Sequence, residues 1–393
     1  MEKLILVSNP GSASRKYALY RGKTCLAKLH FEHESEAVIC TLETGGKKER
    51  VDTNLSHLSF AASQLADVLV DHKIITGAKP IKRVALRVVA PSVYFQKDRQ
   101  LNKLTLAKLA ELEPVVPLHI NATLQEASLL AKYFPQAQLV GISDSAFHAT
   151  MPELASRYGL PKNDADRLGL KRFGYQGLSV ESVVKTLRAT KKLAARTIVC
   201  HLGSGSSVTA LASGRSIDTT MGYSPLEGLM MSTRSGNLDI AAALALQEEL
   251  GLKGDSLLEY LNEKSGLLGV SGKSSDIREL LKLESDEPAA KLALDMYVYR
   301  VQACIGQMAA VLGGIDALVF TGTVGERSSP IRQRIVHKLM FLGLAIDPAK
   351  NHVSVEPGEL TQISPPHFPA KIFIVPANED SVMAVRGQAY KLK

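Results

Sequence analysis

One piece of sequence grammar restricts this chain more than any other, and the chain uses it twice. Leu4 to Val7 is a short aliphatic run that enters Asn9-Pro10-Gly11-Ser12-Ala13-Ser14-Arg15-Lys16 and leaves through Tyr17-Ala18-Leu19-Tyr20. Thr197-Ile198-Val199-Cys200 likewise enters His201-Leu202-Gly203-Ser204-Gly205-Ser206-Ser207 and leaves through Val208-Thr209-Ala210-Leu211. Each reads as a β-hairpin with a small-residue turn. The recurrence predicts two halves built on one plan. Gly/Ser turns expose backbone N–H groups and admit a bulky anion, because no Cβ stands in the way. Either hairpin alone reads equally well as an ordinary strand connection, whereas two facing each other would grip one polyphosphate.

Length and composition agree with that plan. A chain of 393 residues exceeds what one core usually organises, so two domains with a cleft between them are expected. With 45% hydrophobic and 22% charged residues the composition is that of a folded protein. The first apolar run is too short for a signal-peptide core or a membrane span, which predicts no membrane partner. Cys25, Cys40, Cys200 and Cys304 lie far apart without a CxxC pair, so buried free thiols and a cytoplasmic location are expected. The net charge of +8 comes from dispersed Lys and Arg without interleaved aromatics. That pattern argues against nucleic acid and for a basic field that favours anionic substrates.

A third element lies near the C-terminal end. Pro288 to Leu312 carries apolar residues at helical spacing and stops at Gly313-Gly314. Asp316 to Phe320 then reads as a buried strand feeding Thr321-Gly322-Thr323-Val324-Gly325-Glu326. Strand, glycine turn and helix suit a nucleotide, although a plain βα connection would look the same. Helices at Leu104 to Leu112 and Asp239 to Leu250, with a strand at Lys371 to Val375, complete an α/β pattern.

The segment Asp218-Thr219-Thr220-Met221-Gly222-Tyr223-Ser224-Pro225-Leu226-Glu227-Gly228-Leu229-Met230-Met231-Ser232-Thr233-Arg234-Ser235-Gly236 resembles the long signature of the acetate and butyrate kinase family. The first hairpin, Pro117 to His119, Ser143 to His148, Gly269 to Arg278 and Ala377 to Glu379 resemble further blocks of that family, in the same order. The resemblance implies an α/β fold of two duplicated actin-like, Hsp70-like (ASKHA) ATPase domains with an active-site cleft between them. It implies residues 1–146 plus 380–393 as one domain and 147–379 as a nucleotide-binding second. It also implies ATP or ADP and a small carboxylate as partners, Mg²⁺ (with Mn²⁺ as an alternative) as cofactor, direct phosphoryl transfer to a carboxyl group, and a homodimer.

Residue by residue, the resemblance implies catalytic roles for Asp144, Arg234, Arg87, His201 and Gln176, and puts Asn9 and Glu379 at the metal. Arginine suits charge developing on a transferred phosphoryl group, because a guanidinium holds phosphate or carboxylate through two parallel hydrogen bonds. For Glu379 a helix N-terminal role is an equal reading. His119 is implied near the transferred phosphate. Ser14, Lys16, His201, Gly203, Ser204, Gly205, Asp276, Ile277, Arg278, Gly322, Gly325 and Glu326 are implied nucleotide contacts, and Arg87, Val89, Leu118, Tyr175 and Pro225 the acyl pocket.

The chain departs from the family in four places. Gln176 stands for the usual histidine, which keeps a donor but removes a charge. Pro91 follows Arg87 where glycines are usual, stiffening that loop. Ser204 stands for asparagine. Tyr175 stands for phenylalanine, and its hydroxyl, needing a partner if buried, predicts an acid smaller or more polar than acetate. Gln176 and the Arg87 loop also allow a weakly active or non-catalytic binder of nucleotide or acyl phosphate. A chaperone-type or sugar-kinase ATPase is opposed by the long signature.

Overall fold

A computed structural model describes residues 4–11, 14–34, 37–354 and 359–391. The chain divides into two compact units, Met1–Ala146 with Asn378–Lys393, and Phe147–Ala377. Asn378 and Glu379 therefore go with the first unit.

The first unit holds strands β1 (Leu4–Pro10), β2 (Ser14–Arg21), β3 (Thr24–Glu34), β4 (Ala37–Thr44), β5 (Lys47–Asp52), β6 (Ile81–Val88), β7 (Arg99–Gln100) and β8 (Gln138–Ser143). They form one sheet in the order β5-β4-β3-β2-β1-β6-β8-β7, with β1, β6 and β8 parallel. Successive side chains of β1 point to opposite faces. Leu4 and Leu6 join a core with Ile120, Ala127 and Leu130 of the helix Pro117–Tyr133. Ile5 faces the helix Glu379–Ala389, so closely that a Cβ on Gly387 would lie 2.7 Å from Ile5 Cδ1. With both faces covered, β1 needs no polar side, and its run Leu-Ile-Leu-Val-Ser is buried throughout.

The second unit repeats the arrangement with β9 (Arg196–Leu202), β10 (Ser206–Ala212), β11 (Arg215–Thr219), β12 (Ala317–Thr321), β13 (Thr361–Gln362) and β14 (Lys371–Ile374), ordered β11-β10-β9-β12-β14-β13. Ile198, Cys200, Leu318, Phe320, Ile372 and Ile374 face the long helix Pro288–Leu312. Val199, Val319 and Phe373 face Val180, Val183, Val184 and Leu187 of the helix Gly177–Ala189. Strand order and pairing sense match β3-β2-β1-β6-β8-β7 of the first unit, with β4 and β5 as extra edge strands. The duplication expected from the two hairpins is present.

Local signals were obeyed closely. The helix Pro288–Leu312 ends on Gly313 at φ +68°, and the Asp239 carboxylate accepts from Ala241 N–H to start the helix Ile240–Glu249. Two thiols differ from expectation, Cys304 being only half-buried. Cys40 and Cys200 are buried, but Cys25 is exposed, because it falls in the first turn-proximal residues of β3. Among the described residues no helix is long and apolar enough to cross a membrane.

Candidate active site

In the first unit, the residues that the resemblance implies for the site gather at the C-terminal ends of the three parallel strands, the edge where open α/β sheets bind ligands. Asn9 is next to last in β1, Arg87 lies near the end of β6, and Asp144 follows β8 with its N–H on Val88 O at 3.0 Å. These groups join Glu379, the first residue of its helix, in one chain of hydrogen bonds. Arg87 Nη2 donates to Asp144 Oδ2 (2.9 Å) and Nη1 to Asn9 Oδ1 (3.2 Å), while Asn9 Nδ2 donates to Glu379 Oε2 (2.8 Å). Asp144 is fully buried. Burial works against the Arg87 charge, but Asp144 and Glu379 outweigh it and hold the guanidinium well above its ordinary pKa. Arg87 Nε is buried with no hydrogen-bond partner among the described residues.

The rest of this half is more open. Lys16 is exposed on β2 opposite Asn9, and Ser14 is half-buried, with its carbonyl closing the turn onto Gly11 N–H at 2.9 Å. Ser12 and the Leu118 side chain lie outside the described residues. Val89 is buried just beyond Arg87, and His119 is half-buried in the first turn of its helix.

The second unit presents a glycine cradle ringed by nitrogen donors. A Cβ on Gly205 would lie 3.2 Å from Gln176 Nε2 and 3.6 Å from Arg234 Nη1. One on Gly322 would lie 3.0 Å from His201 Nε2, and one on Gly203 3.8 Å from the same atom. Three side chains that the sequence spreads over 176–234 are thus brought to one hairpin. Gln176 Oε1 accepts from Ser207 Oγ (2.6 Å), which turns the amide nitrogen toward Gly205. Arg234 Nη1 donates to Pro225 O at 3.4 Å, and Pro225 is buried. Ser204 is exposed at the tip, its carbonyl accepting from Ser232 N–H (3.2 Å), which joins the hairpin to the long signature.

Tyr175 corrects an expectation. Its hydroxyl has a partner in the protein, donating to Tyr223 O at 2.6 Å, so it gives no ground for a smaller or more polar acid. Tyr158, from outside any recognised block, accepts from Tyr223 N–H at 2.8 Å. The signature loop is held from both sides of one residue.

The implied nucleotide residues separate into two kinds. Gly322 and Gly325 are buried at the turn from β12 into the helix Gly322–Arg327. Glu326 spends its carboxylate on the turn itself, Oε1 accepting from Gly322 N–H (2.9 Å) and Ala377 N–H (3.0 Å). Asp276 caps the helix Ile277–Leu283 through Arg278 N–H (2.7 Å) and also pairs with the exposed Arg278 guanidinium, which holds its carboxyl below the usual range. Ile277 is buried beneath them.

Sequence reasoning passed over three supporting residues. Fully buried Arg332 donates to Gly325 O (2.9 Å) and Glu326 O (2.8 Å), bracing the turn. His148 bridges Ser216 Oγ (2.9 Å) and Tyr175 O (3.0 Å), fixing the bend that puts Gln176 at φ +60°. Ser179 meets His201 Nδ1 at 2.7 Å. His148 closes one of the recognised blocks, but its partners Ser216 and Tyr175, like His201 for Ser179, lie far along the chain, where no local pattern points to them.

Among the described residues no group of three or more His, Cys, Asp and Glu gathers as a metal cluster. Mg²⁺ does not need one, since it is usually held by one or two carboxylates together with substrate phosphates and water. Glu379 and Asp144, gathered with Asn9 around Arg87, supply hard oxygen donors of that kind.

The profile described as the Acetokinase family matches residues 4–385. An acetate kinase of Geobacillus sp. (strain WCH70) is 36% identical over 389 residues, 97% of each chain. The crystal structure of Porphyromonas gingivalis acetate kinase superposes with a TM-score of 0.83 at 33% identity, covering 98% of this chain and 99% of its own. A propionate kinase from Francisella tularensis subsp. tularensis SCHU S4 gives 0.88 at 31% identity, covering 99% and 100%. Sheet order, hairpins and full-length similarity together make this chain a member of the acetokinase family.

Proposed function

We propose that the chain is a carboxylate kinase that transfers the γ-phosphoryl group of ATP to a small acid, acetate or propionate, giving ADP and an acyl phosphate. The observation that carries this reading is the glycine cradle of the second unit, on which Gln176 Nε2, Arg234 Nη1 and His201 Nε2 converge. Three nitrogens around an open backbone turn suit an anion whose oxygens must be neutralised from several directions.

A carboxylate oxygen attacks the γ-phosphorus in line, its new P–O bond forming as the bond to the ADP oxygen breaks. No protein nucleophile is required, so the protein's work is alignment and charge neutralisation. Arg234 and His201 meet the transferred group in the second unit. In the first, Arg87 is held charged and oriented by Asp144 and Asn9. In the second unit Pro225 and Tyr175, and in the first unit Val89, are residues of the apolar kind a short acyl chain needs. Glu379 and Asn9 would hold Mg²⁺, which when bound supplies charge neutralisation at the phosphates.

A second reading, binding without turnover, draws on the uncharged Gln176. Both are tested by incubating the purified full-length chain with ATP, Mg²⁺ and acids from formate to butyrate, and trapping acyl phosphate as hydroxamate. We expect product with acetate or propionate, and Arg234→Ala to lower turnover by at least roughly 10³. Absence of acyl phosphate with every acid, while ATP still binds, would put the second reading in its place.

A further inference from the structure

Ser179 lies three residues after Gln176, outside the sequence blocks quoted above. It is the third residue of the helix Gly177–Ala189, it is 0% exposed, and its Oγ lies 2.7 Å from His201 Nδ1. Its own carbonyl accepts from Ser182 Oγ at 2.7 Å. His201 stands at the other end of that contact, near the end of β9, in register with Ser207 of β10 and Thr321 of β12. Its second ring nitrogen, Nε2, is the atom that approaches the cradle, 3.0 Å from where a Gly322 Cβ would sit.

A neutral imidazole carries one proton, and the hydrogen bond made by one nitrogen decides what the other presents. Among the described residues His201 Nδ1 is the one partner of Ser179 Oγ. If Nδ1 carried the proton and Ser179 accepted it, the hydroxyl proton would be a fully buried donor without an acceptor, the costlier arrangement. The reverse gives the buried hydroxyl its acceptor. The hydroxyl donates to Nδ1, and the imidazole proton resides on Nε2.

We propose that Ser179 is a positioning residue that fixes His201 as the Nε2–H tautomer, so that the ring offers a donor, not a lone pair, to an oxygen anion in the glycine cradle. This rests on the carboxylate kinase reading for its consequence in turnover, but the tautomer itself does not depend on that reading.

The experiment pairs two measurements on the full-length chain. Histidine-selective ¹⁵N NMR, with His201 assigned by substitution, reads the tautomer; ATP–acetate turnover reads the consequence. In the wild type we expect a pyrrole-like Nε2 and a pyridine-like Nδ1. Ser179→Ala should mix the tautomers and lower kcat by roughly ten- to a hundredfold while leaving KM for acetate nearly unchanged, and Ser179→Cys, a weaker donor of similar size, should fall between. An Nδ1–H tautomer in the wild type overturns the proposal, as does a Ser179→Ala variant with unaltered tautomer and kcat. If the wild type does not phosphorylate acetate at all, the kinase reading fails, while the NMR arm still decides for or against Ser179.

Discussion

One hydroxyl at position 175 separates what sequence could say from what geometry decides. The resemblance marks Tyr175 as a departure, but its partner, Tyr223 O, lies 48 residues on in a loop whose path no local pattern specifies. Tyr175→Phe should therefore leave KM for acetate within about twofold of wild type. It should instead lower the melting temperature by about 2–4 °C, the effect of losing about 1 kcal/mol in a domain of this size. A markedly lower KM with unchanged melting would restore the idea that the phenol faces the substrate. The neighbouring Gln176 leads to a prediction of opposite sense. Its left-handed backbone, φ +60°, is one that histidine adopts more readily than most residues, and its nitrogen already points at Gly205. Gln176→His should raise turnover at least roughly tenfold by offering a donor able to carry charge. Steady-state kinetics at saturating ATP and acetate would read it, and an unchanged or lower kcat would mean that the neutral amide is what this cradle uses.

Elements were more legible than contacts. Both hairpins could be read because an aliphatic strand, a small-residue turn and a second apolar strand leave few alternatives, and the long helix declared itself by spacing and a terminal glycine. The sequence was silent on what lies behind a hairpin. In the first unit that is Glu126, 1% exposed on the helix Pro117–Tyr133, accepting from Ser8 Oγ at 2.8 Å. Burial pushes its carboxyl above the ordinary range, only partly offset by the Ser8 hydroxyl and the nearby Arg15 cation. The sign follows from linkage: a carboxyl whose folded pKa is raised adds stability below its unfolded pKa and loses it as pH rises through the folded value. Glu126→Gln keeps the acceptor and removes the titration. The melting temperature of the variant minus that of wild type should grow as pH rises from about 5 to about 8. A difference independent of pH would show that Glu126 ionises in the folded chain as easily as in the unfolded one.

For the whole molecule, length foretold two domains and the repeated hairpin foretold that they share a plan, yet neither disclosed the extra strands β4 and β5 or how the chain's ends are used. The last helix, Glu379–Ala389, belongs to the first unit, so that unit is completed only after the whole of Phe147–Ala377 has been made. Val382, Met383 and Ala384 are buried, Gly387 sits against Ile5 and Ala85, and Arg83 Nη1 donates to Gly387 O (2.6 Å) and Gln388 O (2.7 Å). Removing that helix exposes one whole face of β1 and β6, whereas β9, β12 and β14 keep both of their helical layers. A chain ending at Ala377 should accordingly lose amide protection selectively. Hydrogen exchange read by mass spectrometry should show fast exchange in the peptides covering β1 and β6 and near wild-type protection in those covering β9 and β12. Uniform loss across both sets would mean that the two units fold as one cooperative block. Uniform retention would mean that the first unit is stable without its last helix, and that the burial of Val382 and Met383 contributes less than their position in the core implies.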